Sequence, residues 1–421
     1  MNILFLSAHL PSPDARQAGQ KISYYLCQHF AQRHTLQLLA FSTASELETD
    51  SPESAQLFTS RTILPVSAAT RLLGVARAPG LPLSVAARYQ GRFRRALASL
   101  LRSQYFDIVL LDHMAMWQYA RYVPATAVRA GIAHDVLSQL WARKAENGRH
   151  FAARLETRRL RDWESNAVHN LDLVCVLNSK DSRLILELKN EVPHCVLQPW
   201  FSRPSDADIS TTTREANSMV FTGAFDRGEN VDAVEFAIQE LLPQIAIAVP
   251  QCTYHLAGFA GDTLSRRVIR HPAVRIEGFV PDLPVFLSGM QIALLPLRLG
   301  AGIKTKVLEC MAAGVAVVTT PMGVEGIPGR NGVHYLVGRT AEELARHAIL
   351  LLRNQALRDR IGESAREFIR AGYDFARSAR HFEQMLMLRV SQQPPGVKPM
   401  PSPVTGTQSD CGAPTRQSFG G

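Results

Sequence analysis

The stretch from Ile292 to Gly326 constrains the fold more than any other part of the chain. It begins with an apolar run short enough for a buried strand, passes through a loop with two glycines, and enters a helical pattern over about Ile303 to Ala313. Gly314 suits the left-handed cap that ends a helix, and the β-branched run Val315–Thr320 predicts a second, parallel strand. The stretch therefore predicts one βαβ unit.

The loop of this unit has the composition of an anion-binding site. Gly300 and Gly302 allow a tight turn into the helix, whose N-terminus presents free backbone N–H groups and the positive end of its dipole. Arg298, Lys304 and Lys306 add three cations around the same turn. These features favour a bound phosphate.

A carboxylate follows one helical turn later. Glu309 lies on the same face as Lys306, where its oxygens can accept hydrogen bonds from sugar hydroxyls. The alternative is a purely structural βαβ unit in which Lys306 and Glu309 form a surface ion pair. The residues alone leave both interpretations open and favour the first.

The segment Pro296–Gly326 resembles the donor-site signature of the group-one (family four) retaining glycosyltransferases. It is most similar to a sub-branch of polysaccharide sugar transferases that reads P-L-R-x-G-x-G-x-K-x-K-x-L-E-x-M-A-x-G and continues to V-V-x-T-x-x-G-x-E-G. Ala316 stands where proline is more usual. A match over about thirty residues is far more specific than a lone glycine motif.

The resemblance implies the α/β class and the GT-B fold, in which two Rossmann-like parallel-sheet domains face each other across a cleft. The first domain would span residues 1–195, a linker 196–217, and the donor domain 218–371. A helix over 372–390 would cross back to the first domain. Residues 391–421 are rich in Pro, Gly, Ser and Thr and are expected to be disordered.

The reaction that the resemblance implies is transfer of a hexosyl group from a nucleotide diphosphate sugar, with retention at the anomeric carbon. The acceptor would be a glycan or a lipid-linked molecule in cell-surface polysaccharide biosynthesis. In the family, the glutamate matching Glu309 binds the ribose of the donor. Lys304 and Arg298 would then stabilise the departing diphosphate, and His134, just past a predicted strand end, would reach the transferred sugar. A single His-Asp pair is otherwise unremarkable.

The resemblance extends the donor-binding set beyond the loop. Its further members are Gly302, Ile303, Lys306, Gly223 and Val280. In the first domain, Gly19 and Lys21 match a loop that faces the cleft in this family, although an ordinary surface loop remains the alternative.

Three further positions depart from the family pattern. Ala224 and Glu229 replace the usual arginine and lysine, and Ala301 replaces the first of two glutamates. We expect Arg298 and Lys304 to replace the missing cations. The departures leave open a catalytically inactive partner subunit that binds nucleotide-sugar or polysaccharide, and the shared fold leaves open a nucleotide-sugar epimerase.

The net charge of +9 is concentrated in the first half, since residues 1–200 contain 23 Lys and Arg against 16 Asp and Glu, a net of +7. Part of it lies in a predicted amphipathic helix over Arg88–Gln104, with Phe93 and Leu97 on one face and arginines, Arg88 among them, largely on the other. Such a helix either contacts an anionic membrane or packs on a sheet. The chain has no recognised nucleic-acid motif or aromatic platform, so nucleic acid is not an expected partner.

Six scattered cysteines without a Cys/His cluster indicate a reducing compartment. The Asp206-Ala-Asp208 triplet follows no strand, so no metal and no cofactor are expected. The opening residues predict a strand and not a signal peptide, and no run approaches the ~18 apolar residues of a membrane span. We expect a cytoplasmic protein, peripheral to the cytoplasmic face of the inner membrane if the basic helix binds lipid.

Overall fold

The computed structural model describes residues 1–146, 150–189, 191–260 and 271–393, together with Leu264 and Val268. These residues form two entirely parallel β-sheets of seven and six strands, each with helices on both faces. Two Rossmann-like domains were predicted, and the structure confirms them. The tail predicted to be disordered lies outside the described residues from position 394 onward.

The first sheet has the strand order β3-β2-β1-β4-β5-β6-β7. Its central strands are almost wholly apolar because helices cover both of their faces. The strands are β1 Asn2–Ser7, β2 Thr35–Ser42, β3 Ser60–Pro65, β4 Ile108–Asp112, β5 Val128–Ala133, β6 Leu173–Val176 and β7 His194–Val196. The helices are α1 Ala18–Ala31, α2 Ala44–Glu48, α3 Pro52–Gln56, α4 Ala68–Arg77, α5 Leu83–Ala86, α6 Gly91–Ser103, a 3-10 helix Met114–Tyr122, α7 Leu137–Glu146, α8 His150–Val168 and α9 Ser179–Leu188.

A short helix, α10 Asp206–Thr211, precedes the second sheet, whose order is β10-β9-β8-β11-β12-β13. The strands are β8 Ser218–Thr222, β9 Thr253–Ala257, β10 Val274–Gly278, β11 Ile292–Leu295, β12 Ala316–Thr319 and β13 Leu336–Val337. The helices are α11 Gly228–Phe236, which runs through a π-helical turn Ala237–Leu241 into α12 Leu242–Ala248, then α13 Leu283–Ser288, α14 Thr305–Ala312, α15 Ala341–Arg353 and α16 Gln355–Gly372.

The last helix, α17 Phe375–Gln392, packs against the first domain. Phe382 and Leu386 are fully buried in the core beside β1 and β4. Glu383 reaches three basic side chains of the first domain, with its carboxylate oxygens 2.9 Å from His29 Nε2, 2.6 Å from Arg33 Nη2 and 2.8 Å from His34 Nε2. Helix α17 therefore connects the second domain to the first.

Strand order reverses direction at the same place in both sheets. In the first, β1 lies between β2 and β4, and in the second, β8 lies between β9 and β11. Loops at the carboxyl ends of strands diverge at such a switch point and leave a crevice there. Because the loops that follow β5 and β11 touch each other, the two crevices face one another.

Two predictions about the first domain are wrong in position. Gly19 and Lys21 lie in the first turn of α1 and not in a loop, because the helix starts at Ala18 and not near Ile22. Arg88 lies before α6, which begins at Gly91 after the extended residue Gln90. Its guanidinium turns inward to His9 and does not join the outward-facing arginines.

Between β2 and α6 the chain forms α2, α3, the edge strand β3, α4 and α5. The burial pattern of β3 does not alternate, since its four central residues are all half-buried and its two end residues are exposed. Helices α7 and α8 end and begin on either side of residues 147–149, which lie outside the described residues.

Candidate active site

The loop between β11 and α14 holds two glycines in the left-handed region. Gly300 has φ +110° and Gly302 has φ +69°, conformations that other residues rarely adopt. The loop delivers the chain to α14, whose N-cap, Lys304, forms no side-chain capping bond. The first N–H groups of a helix have no intrahelical acceptor, and the dipole is positive there. The loop and helix start thus form a surface suited to an anion.

Lys304 lies inside this loop. Its Nζ donates to the carbonyl oxygens of Ala301, at 3.0 Å, and Gly302, at 2.8 Å. Burial lowers the pKa of Lys304 to about 8, although the carboxylate of Asp135 opposes the shift. The ammonium is therefore held beside the helix start and carries a proton that a nearby anion would stabilise.

Lys306 has a different partner from the one considered in the sequence. Its Nζ donates to Oδ1 of Asn230 at 2.6 Å and lies 4.4 Å above the centre of the Phe221 ring. Burial lowers the pKa of Lys306 to about 7 despite nearby carboxylates. A Cβ atom on Gly223 would lie 2.8 Å from this Nζ, so the glycine gives the ammonium its space.

Glu309 is half-buried in the middle of α14. Burial raises the pKa of its carboxyl, and the charges of Lys21 and Lys306 oppose that rise. Lys21 belongs to the first domain, so the carboxylate of Glu309 faces a cation from across the cleft. Among the described residues, the Glu309 carboxylate has no hydrogen bond of its own, which leaves it available to a ligand.

Side chains of the first domain contact the glycine loop directly. Arg143 of α7 donates from Nη1 to the carbonyl oxygen of Gly300 at 2.7 Å and also forms an ion pair with Glu325. Lys180 of α9 lies 3.7 Å from the same carboxylate. Gly326, with φ +78°, packs so close to Asn178 that a Cβ atom would lie 2.9 Å from its amide carbon. These contacts hold the two domains closed over the loop.

His134 is oriented by a buried aspartate. Its Nε2 lies 2.7 Å from Oδ1 of Asp112, whose Oδ2 accepts from the hydroxyls of Ser7 at 2.8 Å and Ser23 at 2.9 Å. Burial by itself raises the pKa of Asp112, but His113 and His134 hold it well below its usual range. The contact with the Asp112 carboxylate fixes the orientation of the His134 ring. Nδ1 faces the start of α1, where a Cβ atom on Gly19 would lie 3.2 Å away.

Beside this pair lies a cavity of about 160 Å³ at the carboxyl ends of β1, β4 and β5. His113 stacks on His134 with ring centres 4.0 Å apart and has φ 71°, an uncommon conformation for a side-chain-bearing residue. The lining consists of Ala8, His9, Ser84, Arg88, His113, Met114, Ala115, Asp135 and Leu137.

The folded chain assembles one histidine–carboxylate group that the sequence did not reveal. Potential ligand atoms of Asp112, His113 and His134 all lie within 4.8 Å of one another. The premise that the chain lacks such a cluster is wrong, because folding brings together strand ends that are 22 positions apart. Metal independence itself stays a prediction. Asp206 and Asp208 instead belong to α10, where Asp206 lies 3.4 Å from Arg366.

Arg298 is engaged away from the glycine loop. Its guanidinium forms two bonds to Asp232 of α11, with Nη2–Oδ1 at 2.7 Å and Nε–Oδ2 at 3.1 Å, and lies 4.3 Å above the Phe236 ring. To reach a diphosphate, Arg298 would have to leave this ion pair. The structure therefore does not bring Arg298 together with Lys304.

A family model of known proteins matches the second domain. Residues 216–354 match the family model described as "Glycosyl transferases group 1". An uncharacterised glycosyltransferase of Methanocaldococcus jannaschii is 32% identical over 233 residues, which is 52% of this chain and 56% of the relative. The second domain therefore matches the group 1 glycosyltransferase family. The matched region spans little more than half of that relative.

Solved structures extend the likeness to both domains. HepE of Anabaena in complex with UDP is 14% identical, with a TM-score of 0.63 over 92% of this chain and 100% of that one. The sucrose-phosphate synthase of Thermosynechococcus elongatus is 15% identical, with a TM-score of 0.67 over 93% of this chain and 100% of that one. The chain therefore has the GT-B fold that the sequence predicted.

The structure adds a cation that sequence reasoning missed. Arg227, the N-cap of α11, pairs with Glu229 at 2.6 Å and lies near enough to Lys306 to lower its pKa further. It follows Ala224 by three residues in the same turn, so it stands near the place of the arginine that the family usually has. Arg143 and Glu325 were also missed, although Glu325 lies within the matched G-x-E-G segment.

The remaining predicted residues lie at the edges of the cleft. Ile303 packs against the cores of both domains. Val280 follows Phe279, whose ring stacks on Phe259 at 4.7 Å. Arg16 of the first domain lies 5.0 Å above the Phe259 ring, so the first domain also touches this rim.

Proposed function

We propose that this chain is a group 1 glycosyltransferase that transfers a hexosyl group from a nucleotide diphosphate sugar to a hydroxyl of a glycan or lipid-linked acceptor, with retention at the anomeric carbon. The observation that supports this most is the loop 300–304 opening onto α14, with a half-buried lysine at the helix start and Glu309 one turn beyond. HepE, a structural neighbour, has been crystallised with UDP and with UDP-glucose.

The donor diphosphate would lie against the helix start. Lys304 would contact it directly, and the dipole of α14 would add to the same field. Glu309 would accept hydrogen bonds from the ribose. Arg227 and Lys306 lie on the neighbouring turn and supply further positive charge, so the proposed site needs no contribution from Arg298.

The reaction would proceed on one face of the sugar. The bond between the anomeric carbon and the diphosphate oxygen breaks while the acceptor oxygen bonds to the same carbon, and the leaving phosphate takes the acceptor's hydroxyl proton. Negative charge grows on the diphosphate in this step, and Lys304 would stabilise it. His134, oriented by Asp112, would bind a hydroxyl of the transferred sugar.

We also propose that the first domain rests on an anionic membrane surface, where a lipid-linked acceptor would be found. Arg92, Arg95 and Arg102 of α6 are exposed, whereas Phe93 and Leu97 are fully buried in the core. The helix therefore has no free apolar face, and its contact would be electrostatic. Among the described residues, no helix is long and apolar enough to cross a bilayer.

Thermal stability in the presence of a panel of nucleotide-sugars tests the donor. A ligand at about 100 times its dissociation constant adds about 2.7 kcal/mol to the free energy of unfolding. We expect stabilisation by a UDP-hexose or another nucleotide-sugar and none by the free hexose. Stabilisation by none of them would contradict the proposal.

Product analysis tests the reaction. With an acceptor fraction present, the expected products are a glycoside with the donor's anomeric configuration and the free nucleotide diphosphate. Conversion of the donor to its epimer without an acceptor would indicate an epimerase. Binding without turnover across acceptors would indicate an inactive binding subunit.

A further inference from the structure

His113 has a backbone conformation that a side chain makes unfavourable. Its φ of 71° and ψ of 140° lie outside the small left-handed helical region that residues other than glycine can enter. Such conformations persist where the surrounding structure holds them, and they cluster at functional sites. His113 is therefore a candidate for a role that glycine, the residue suited to this backbone, could not perform.

The residues on either side of His113 are fixed. Asp112, the last residue of β4, accepts hydrogen bonds at Oδ2 from the hydroxyls of Ser7, at 2.8 Å, and Ser23, at 2.9 Å. On the other side, the carbonyl oxygen of His113 accepts from the backbone N–H of Met116 at 2.9 Å, within the first turn of the 3-10 helix. His113 thus joins an anchored strand end to a helix whose Met116 is fully buried.

The ring of His113 covers one face of the His134 ring. The two rings are stacked, with centres 4.0 Å apart and planes 22° apart. Nε2 of His134 lies 2.7 Å from Oδ1 of Asp112, which fixes the position of that atom. The Cβ–Cγ axis of a histidine passes close to Nε2, and rotation about it is loosely restricted. A hydrogen bond at Nε2 therefore holds the plane of the ring weakly, and the stacked ring supplies the missing constraint.

The start of α1 lies against the edge of both rings. A Cβ atom on Gly19 would lie 3.2 Å from Nδ1 of His134 and 3.3 Å from Cε1 of His113. A side chain at this position would press on the two rings together. The His134 ring is thus bounded by a carboxylate, a second ring and a helix start, which come from three parts of the chain.

The His113 ring is neutral. Burial lowers the pKa of His113 well below its usual range, and the neighbouring His134 lowers that pKa further. Nε2 of His113 is buried without a hydrogen-bond partner among the described residues, and it lies 4.0 Å from Oδ2 of Asp112, beyond hydrogen-bond distance. The shape of the ring, and not its charge or its nitrogen atoms, is what His134 contacts. A phenyl ring should therefore replace it.

We propose that His113 is a positioning residue whose ring sets the plane of the His134 imidazole. The inference rests on the proposed glycosyl transfer, in which His134 would bind a hydroxyl of the transferred sugar. The strained backbone at position 113 places the ring on His134. Glycine would relieve the strain but would supply no ring.

Four variants test the proposal. His113→Ala removes the ring and keeps the strain, because alanine still carries a Cβ atom, whereas His113→Gly removes both. His113→Phe keeps a flat ring. His134→Ala identifies the His134 signals in long-range ¹H–¹⁵N spectra of the histidine ring nitrogens, and it sets the size of a complete loss of His134. The spectra need no substrate, so they report on the ring directly.

Stability and ring order should separate. His113→Gly should melt at a higher temperature than His113→Ala, the reverse of the order at ordinary positions, because only alanine keeps the strain. The His134 signals should broaden to the same extent in both variants, since both lack the ring. In His113→Phe these signals should be as sharp as in the wild type.

Calorimetric titration with UDP and UDP-glucose gives a second measurement. UDP has no sugar for His134 to contact, so it should bind the wild type and all four variants equally. UDP-glucose should bind His113→Ala and His113→Gly about 2- to 12-fold more weakly than the wild type, the range for one hydrogen bond between neutral groups. His113→Phe should bind UDP-glucose as tightly as the wild type does.

Sharp His134 signals in both His113→Ala and His113→Gly, or broad ones in His113→Phe, would overturn the inference. So would signals and affinities that follow the melting temperature, with His113→Gly nearer the wild type than His113→Ala, since a purely structural residue gives that pattern. If UDP-glucose binds His134→Ala as tightly as the wild type, the proposed sugar contact of His134 fails. The spectra then still decide whether His113 holds the ring.

Discussion

Gly302 and Asp135 meet across the cleft so closely that a Cβ atom on the glycine would collide with the carboxylate oxygen Oδ1. Gly302 lies on the donor-domain loop with φ +69°, and Asp135 follows strand β5 of the first domain. The closed arrangement of the two domains thus depends on the absence of a side chain at one position.

Replacing Gly302 should separate the effect of backbone strain from the effect of a steric clash with Asp135. Gly302→Ala introduces both, whereas the control Gly332→Ala has a similar φ of +79° with open space around it. Left-handed strain costs about 1–2 kcal/mol of stability in either variant. Only Gly302→Ala should displace the loop, and a misplacement near 1 Å lowers turnover on the order of 100-fold. Melting temperatures measure the loss of stability, and steady-state kinetics measure the loss of turnover. Equal turnover in the two variants would show that the close contact between Gly302 and Asp135 does not position the loop.

The parts of this site that are local in sequence could be predicted from it. The glycine loop, Lys304 and Glu309 lie within one βαβ unit, and periodicity with glycine placement was enough to locate them. The hydrogen-bond partners of these side chains could not be predicted. Lys306 has a neighbour at helical spacing in Glu309, but its Nζ bonds Asn230, from a helix 76 positions earlier.

The contacts between domains were beyond the sequence for the same reason. Arg143 and Glu325 are 182 positions apart, and nothing in either local pattern indicates the other. Arg88 appeared to extend an amphipathic arginine face, yet the helix begins three residues later and the guanidinium turns inward. The spacing of residues in the sequence predicts which of them would share a helix face. Whether a residue such as Arg88 belongs to the helix at all depends on the tertiary fold.

Donor binding should take up protons in mildly alkaline solution. Burial lowers the pKa of Lys304 to about 8 in the free protein, so the amine is largely neutral at pH 8.5. A bound diphosphate favours the charged form and raises that pKa, so a proton is gained and affinity falls as pH rises through 8. Titration of UDP-glucose in two buffers of different ionisation enthalpy measures the uptake. Lys304→Arg stays charged, so this variant should take up fewer protons on donor binding, and Lys306 would account for the protons that are still taken up. The same proton uptake in the wild type and in Lys304→Arg would exclude Lys304 as its source.

Turnover should persist in excess EDTA, because the proposed site supplies its positive charge from lysine, arginine and a helix dipole. Activity is compared before and after chelation, with magnesium and manganese added back. If EDTA abolished turnover and a metal restored it, the phosphate argument would be wrong. His113→Ala would then show whether the ion lies at the group formed by Asp112, His113 and His134.

Binding to lipid vesicles should depend on α6. Each cation near an anionic surface contributes about 1 kcal/mol, so replacing Arg92, Arg95 and Arg102 with glutamine should nearly abolish co-flotation with anionic vesicles. A matched control replaces three exposed arginines of the opposite end of the chain, Arg360, Arg377 and Arg380. Equal flotation with neutral and anionic vesicles, or no effect of salt, would rule out the electrostatic contact.

The donor site predicts that Lys304 and Glu309 have different kinetic roles. Lys304 lies where negative charge grows as the glycosidic bond breaks, so Lys304→Ala removes a charge-assisted hydrogen bond of about 1.5–3 kcal/mol and should lower kcat about 10- to 150-fold. Glu309 would touch the ribose, which hardly changes during the reaction. Glu309→Gln should mainly raise KM for the donor, because it removes uniform binding.

Steady-state kinetics of these two variants, with melting temperatures and donor titrations alongside, test the donor-site assignment most directly. The account predicts a loss of kcat in Lys304→Ala, a raised donor KM with nearly unchanged kcat in Glu309→Gln, and folded protein in both. Wild-type kcat and KM in both variants would contradict it and return the glycine loop to a purely structural role.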